Sequence, residues 1–179
     1  MKKESGFTLL ELLVVLALSG IVMAALYATF VSQQRSYQMT EQVVAVQQNL
    51  RGAMYYMERE IRIAGYDPRR TNDFSITAIS AQSITMTMDF VTEDGLIGTG
   101  ETITYAYNGG ANTITRDAGG GAQVIAENVT GLTITGLDAA GAVTGTGGNV
   151  RSVDLTVTGS LGGHTRTYTT RIRCRNMGL

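Results

Sequence analysis

The sequence of 179 residues contains one cysteine, one histidine, one proline and no tryptophan. A single Cys excludes an intrachain disulfide, a cysteine-based zinc cluster and a CxxC redox centre. A single His excludes a multi-histidine metal site. Charge of both signs is scarce: 14 basic residues face 15 acidic ones, and charged residues make up 16% of the chain, against roughly 25% in an average soluble domain. The formal net charge of −1 argues against a polyanion-binding protein, so nucleic acid is not an expected partner. Lysine occurs only at Lys2 and Lys3. The length fits about one domain with a single core. Abundant Gly and Thr, with Trp absent, point to a β-rich domain.

What is present is unevenly distributed. Residues 12–31 read LLVVLALSGIVMAALYATFV, 20 positions without a charge. At about 1.5 Å per residue this run spans about 30 Å, the hydrocarbon thickness of a bilayer. A cleaved secretory signal also places basic residues before an apolar run, but its core is only roughly 7–15 residues long and ends in a small-residue cleavage site. Here more helix-forming sequence follows, with no Pro or Gly from Ser32 to Ser36, so the segment reads as a retained anchor.

From Val43 the apolar positions are Val43, Val46, Leu50, Met54, Met57, Ile61 and Ala64, spaced by three or four residues as one helical stripe. Glu58, Arg59, Glu60 and Arg62 occupy the other faces, where local ion pairs are possible. Met54 and Met57 read as core, and Tyr55 and Tyr56 as its rim. Gly65 is placed to end the helix, and Pro68 follows as a stop. No Pro interrupts residues 7–64; a continuous helix there would be about 87 Å long. Its second half needs a domain to cover the stripe.

Beyond Pro68 the texture changes, and 18 of the 22 glycines lie after residue 70. Alternating segments read as strands at residues 83–88, 101–107, 113–116, 123–127 and 132–137, with a hairpin turn at residues 108–112. Val153, Leu155 and Val157 alternate with Asp154, Thr156 and Thr158. After Gly162 and Gly163, Tyr168, Ile172 and Cys174 face one way, and Arg171, Arg173 and Arg175 the other. One polar face implies antiparallel pairing, with the apolar face covering the helix. The expected fold class is α+β, a long helix packed on an antiparallel sheet.

No catalytic constellation stands out, and no enzyme activity, cofactor or metal is expected. His164 lies in a turn without a nearby base or orienting acid. Asp89, Glu93 and Asp94 could offer oxygen ligands to Ca²⁺ but lack EF-hand spacing, and read as a solvated acidic loop. Gly119, Gly120 and Gly121 are not followed by the Lys of a phosphate loop and read as a connector. The stripe Arg171, Arg173, Arg175 reads as a solvated sheet face.

The most informative string is Gly6-Phe7-Thr8-Leu9-Leu10-Glu11 after the basic leader. An acid at the edge of an uncharged span costs about 2.5–3.5 kcal/mol on insertion scales, so Glu11 calls for a partner. Cleavage after Gly6 would create one, the α-amine of Phe7. This string resembles the class III signal of type IV prepilins and type II secretion pseudopilins. The resemblance implies cleavage between Gly6 and Phe7 by a prepilin peptidase, N-methylation of Phe7, and pairing of Glu11 with a neighbouring subunit's N-terminus during assembly. Loss of residues 1–6 would leave 12 basic and 14 acidic residues, since Lys2, Lys3 and Glu4 go.

Looser similarities extend further. RGAMYYMEREIRIAGYDP from Arg51, the hairpin from Tyr105 to Arg116, the stretch Ala126 to Leu132 and the ending Arg175-Asn176-Met177-Gly178-Leu179 resemble PilW-type minor pilins, with the pseudopilin GspJ sharing the layout. A lone Cys174 in place of a C-terminal Cys pair, and Gly20 where a helix-breaking Pro is common, depart from major pilins. The implied organisation is a leader (1–6), a transmembrane and filament-core helix (7–31), an amphipathic helix (32–66) and a β-rich head (67–179). The implied function is a minor type IV pilin helping to start polymerisation at or near a pilus tip. The alternatives are a type II secretion pseudopilin and a tip-located subunit that binds DNA or a surface ligand. Implied partners are other minor and major pilins, the prepilin peptidase and the inner-membrane assembly platform. The chain would sit in the inner membrane with its head outside the cytoplasm before assembly, and in the filament or its tip afterwards.

Overall fold

The structure, a computed structural model, describes residues 6–178. A single long helix, α1 (Leu9–Ile63), takes up 55 residues. The chain forms two compact units, Met1–Glu41 and Gln42–Leu179. In the first, the large apolar side chains from Phe7 to Phe30 are between 49% and 89% exposed. In the second, α1 buries Val46, Leu50, Ala53, Met54, Met57 and Ile61. This is the stripe set by the spacing of three and four, with Ala53 added; Val43 at its start is only half-buried. Tyr55 and Tyr56 are exposed beside it.

The helix ends where Gly65 takes a left-handed φ of +76° and donates its N–H to Thr87 O at 3.0 Å. Its last carbonyls are met from the far end of the chain. Arg175 N–H donates to Arg62 O at 2.9 Å, Asn176 Nδ2 donates to Ile63 O at 3.1 Å, and Met177 lies against Gly65.

Eight strands follow: β1 (Ile76–Ile79), β2 (Ser83–Thr87), β3 (Thr102–Asn108), β4 (Thr113–Asp117), β5 (Gln123–Ala126), β6 (Val129–Leu137), β7 (Ser152–Leu161) and β8 (His164–Arg173). All pairings are antiparallel, and the fold class is α+β as expected. The strands divide into two sheets, ordered β1-β2-β3-β4-β5 and β6-β7-β8. Hydrogen bonds link the sheets: Ile134 N–H donates to Ala81 O, and Val129 N–H to Asn112 O, both at 2.9 Å. Register shifts fall between Ile76 and Ala78 of β1, between Ile114 and Thr115 of β4, and between Val129 and Gly131 of β6.

One core joins the second half of α1 to both sheets. Leu50, Met57 and Ile61 are fully buried with Ile84, Ile103, Tyr105, Ile114, Leu155 and Ile172. Close approach of helix and sheet requires a glycine at position 159. A Cβ on Gly159 of β7 would stand 2.9 Å from Leu50 Cδ2 and from Asn128 O.

Polar groups cross the same boundary. Glu60 of α1 accepts from Tyr105 Oη at 2.5 Å and from Arg116 Nη2 at 2.8 Å. Of the local helix pairs, Arg62 does reach Glu58, but Glu60 is committed to the sheet instead. Burial raises the Tyr105 hydroxyl well above the ordinary tyrosine pKa, and the Glu60 carboxylate adds to this.

Candidate functional site

The residues singled out by the N-terminal string lie at the start of α1. Thr8 O accepts the N–H of Leu12 at 3.3 Å, which makes Thr8 the N-cap. Its hydroxyl accepts Glu11 N–H at 3.3 Å. In return, Glu11 Oε2 accepts Thr8 N–H at 3.0 Å and Thr8 Oγ1–H at 3.1 Å. This is a capping box, the reciprocal Thr-x-x-Glu arrangement that satisfies donors otherwise orphaned at a helix start.

The box adds a local partner that the sequence reading did not name. Besides any cationic partner, Glu11 has a local one, because Thr8 supplies two donors three residues away. The signal was present in the sequence as Thr8 followed at the third position by Glu11 ahead of an apolar run, and the cost of an isolated acid obscured it. Both donors converge on Oε2; among the described residues Oε1 accepts no hydrogen bond. A carboxylate can accept about four, so the group retains capacity for a cation. The Phe7 side chain is 89% exposed, and among the described residues, its chain neighbours aside, nothing lies within 4 Å of where a Cβ on Gly6 would stand. The Gly6–Phe7 peptide is therefore in open surroundings just before the helix.

The other candidates separate from this site and from one another. Asp89 is fully buried, contrary to a solvated loop, and its Oδ2 accepts Gly95 N–H at 2.9 Å. Glu93 and Asp94 are exposed. Tyr66 donates to Glu93 at 3.4 Å, and the Glu93 charge raises the Tyr66 hydroxyl pKa. Among the described residues no group of three or more His, Cys, Asp or Glu could hold a metal ion.

Glu101, read only as the start of a strand, is fully buried. Its carboxylate accepts Gly98 N–H at 2.7 Å and Val91 N–H, Thr92 N–H and Thr92 Oγ1 at 3.2 Å each. The Gly98 amide foremost, with those of Thr92 and Val91, holds this carboxyl below its usual pKa despite burial. Asp89 and Glu101 thus shape the loop between β2 and β3 from inside, and the sequence gives no periodic mark of that role.

His164 begins β8 after the Gly162-Gly163 turn and is half-buried. Gly119 and Gly121 both donate to Asp117 Oδ1, at 2.8 and 3.1 Å, so the glycine run is an organised turn. Arg171, Arg173 and Arg175 are exposed as expected. Arg171 grips Asp154 through Nε at 2.6 Å and Nη2 at 2.7 Å, and these bonds hold Asp154 below the usual carboxylate range. Cys174 is buried and unpaired, its thiol pushed up to about 11 by burial.

Residues 1–27 match the family model of the prokaryotic N-terminal methylation motif. No curated protein matches the chain. The match spans the leader, the capping box and most of the apolar run. It supports a type IV pilin-like protein, processed by a prepilin peptidase and anchored in a membrane by its apolar helix before assembly.

Proposed function

We propose that this chain is a minor type IV pilin, cut between Gly6 and Phe7, N-methylated on Phe7, and incorporated at or near a pilus tip to help start polymerisation. The observation that carries this reading is the capping box at the head of an apolar helix whose surface has no cover within its own unit. Fully burying one large apolar side chain is worth about 1.5–3 kcal/mol. Fifteen such side chains lie exposed between Phe7 and Phe30, so a bilayer first, and neighbouring helices later, supply tens of kcal/mol in sum.

Cleavage after Gly6 leaves Thr8 and Glu11 intact, so the box survives and still starts the helix. It also places a cationic amine on Phe7, one residue before the cap. Oε1 of Glu11 is then the acceptor for an amine, on the same chain or on a neighbour, whose pairing fixes the axial register of adjacent helices. The lone, buried Cys174 supports a minor over a major subunit, because the chain has no second Cys to close a loop.

Mass spectrometry of the mature protein should find methylated Phe7 at its N-terminus; a start at Met1 or beyond residue 20 overturns the reading. Thr8→Ala and Glu11→Gln separate the two roles of the carboxylate. Both weaken the box, but only Glu11→Gln removes the charge. The expected outcome is normal cleavage in both and impaired co-purification with other pilins chiefly in Glu11→Gln. Co-purification with secretion components in place of pilus subunits would assign the chain to a pseudopilus.

A further inference from the structure

The three-stranded sheet has a long free edge. Among the described residues β8 pairs with β7 on one side and has no strand on the other. The connecting residues Gly162 and Gly163 both have positive φ, +59° and +83°, the two-residue turn that makes its flanking residues a hydrogen-bonded pair. Leu161↔His164 is that pair, and the pattern then alternates along the ladder. Two bonds confirm the phase. Cys174 N–H continues the ladder to Arg151 O at 3.0 Å, while Ser160 N–H points away from β8 to Asn128 O at 2.9 Å. The N–H and C=O groups of Thr167, Thr169, Arg171 and Arg173 therefore point outward. Among the described residues no other element bonds to them.

Charge accumulates at one end of this edge. Beyond the end of β8 lies a cleft of about 930 Å³ lined by Arg151, Arg171, Arg173 and Arg175, with Asp138 and Met177. Asp154 engages Arg171, and Asp138 Oδ1 is occupied by the amides of Ala140 and Ala142. Arg173 and Arg175 form no ion pair among the described residues.

We propose that the free edge of β8 and this arginine cleft form one docking surface for an extended acidic segment of another polypeptide, which adds as a further strand. An added strand would offer its backbone to the four outward positions. Its side chains on the polar face would lie about 4.5–5.5 Å, Cβ to Cβ, from those of β8, so acidic residues two apart would meet Arg171 and Arg173. The same arginines oppose those pairings of two copies that set Arg171 against Arg173, since like charges would then face each other. The cationic end of the edge thus favours an acidic strand over a basic one.

The test uses the full-length protein in detergent and a labelled ten-residue peptide alternating Glu with Thr and Val, followed by fluorescence anisotropy. Saturable binding is expected. N-methylation of the peptide's edge-facing amides should weaken it by about tenfold or more, as should the double change Arg173→Glu with Arg175→Glu. Thr169→Pro removes one outward donor while sparing the bonds to β7, and should weaken binding with the helix and strand signature of circular dichroism retained. A Lys-for-Glu peptide should not bind. The proposal is overturned by no saturable binding at about 1 mM peptide, by indifference to N-methylation, or by a DNA duplex binding as well as the peptide does.

Discussion

Glu60 of α1 and Arg116 of β4 meet with Oε1 and Nη2 2.8 Å apart, and the wholly buried Tyr105 donates its hydroxyl to the other carboxylate oxygen. One acidic side chain from the helix thus satisfies two groups from adjacent strands. Removing an acceptor from buried donors costs more than the bonds themselves contribute.

Glu60→Ala should therefore destabilise the protein by about 2–3 kcal/mol in chemical denaturation, while the exposed neighbour change Arg59→Ala should stay within about 0.5 kcal/mol. Equal effects of the two would show that the network contributes nothing specific.

Alkaline pH should unfold the protein through two buried acids. Tyr105 and Cys174 both have folded pKa values raised above their unfolded ones, so each stabilises fully below its unfolded pKa and loses that contribution as pH rises towards the folded one. For Cys174 the window runs from its ordinary value of 9.0 to about 11, and the loss is on the order of 2–3 kcal/mol. Tyr105 acts from pH 10 upward. Melting temperature followed from pH 8 to 11 should fall, less steeply in Cys174→Ala.

Glu101 behaves in the opposite sense. Its folded pKa is depressed by the loop amides, so its contribution is present above its unfolded pKa and disappears as pH falls through the folded value. Glu101→Gln leaves an amide hydrogen pair facing backbone donors. Protection from hydrogen exchange at Val91, Thr92 and Gly98, taken relative to the intrinsic rate at each pH, should fall markedly in that variant and, in the wild type, on acidification through the depressed Glu101 pKa. Unchanged protection would mean that other contacts hold the loop.

Gly159→Val should be strongly destabilising, by about 2 kcal/mol or more, because its Cβ would collide with Leu50 and the Asn128 carbonyl. Gly131→Ala is the control, since the nearest atom to its Cβ would be Thr158 Cβ at 3.9 Å. Denaturant midpoints of the pair test whether close approach of helix and sheet is what requires glycine at 159.

The helix and most strands were legible because burial imposes periods. The spacing from Val46 to Ile61 marks the buried stripe, and the alternation through Val153, Leu155 and Val157 marks the sheet. β1 escaped because its burial does not alternate: Ile76 is buried, Thr77 and Ala78 are exposed and Ile79 is half-buried. Asp89 and Glu101 escaped for another reason: a carboxylate that binds backbone amides looks identical in sequence to one that binds water. Glu60 and Arg116, 56 positions apart, meet only through tertiary structure. At the N-terminus the reverse held. Thr8 and Glu11 are local, and the box they form follows from spacing alone once the pair is read together.

The carbonyls of Arg62 and Ile63 are answered by Arg175 and Asn176, the latter 113 positions later in the chain. This sets an order of events during biogenesis. As the polypeptide is made, the apolar helix is available to enter a membrane long before the residues that seal its other end exist. The strand β7, whose Gly159 seats Leu50, and Met177, which lies against Gly65, are made long after the helix they contact. Completion of the second unit thus waits on contacts far apart in sequence, with the large loop-closure entropy that such contacts carry. A ribosome that stops before Asn176 releases a chain able to insert but with its helix end unsealed.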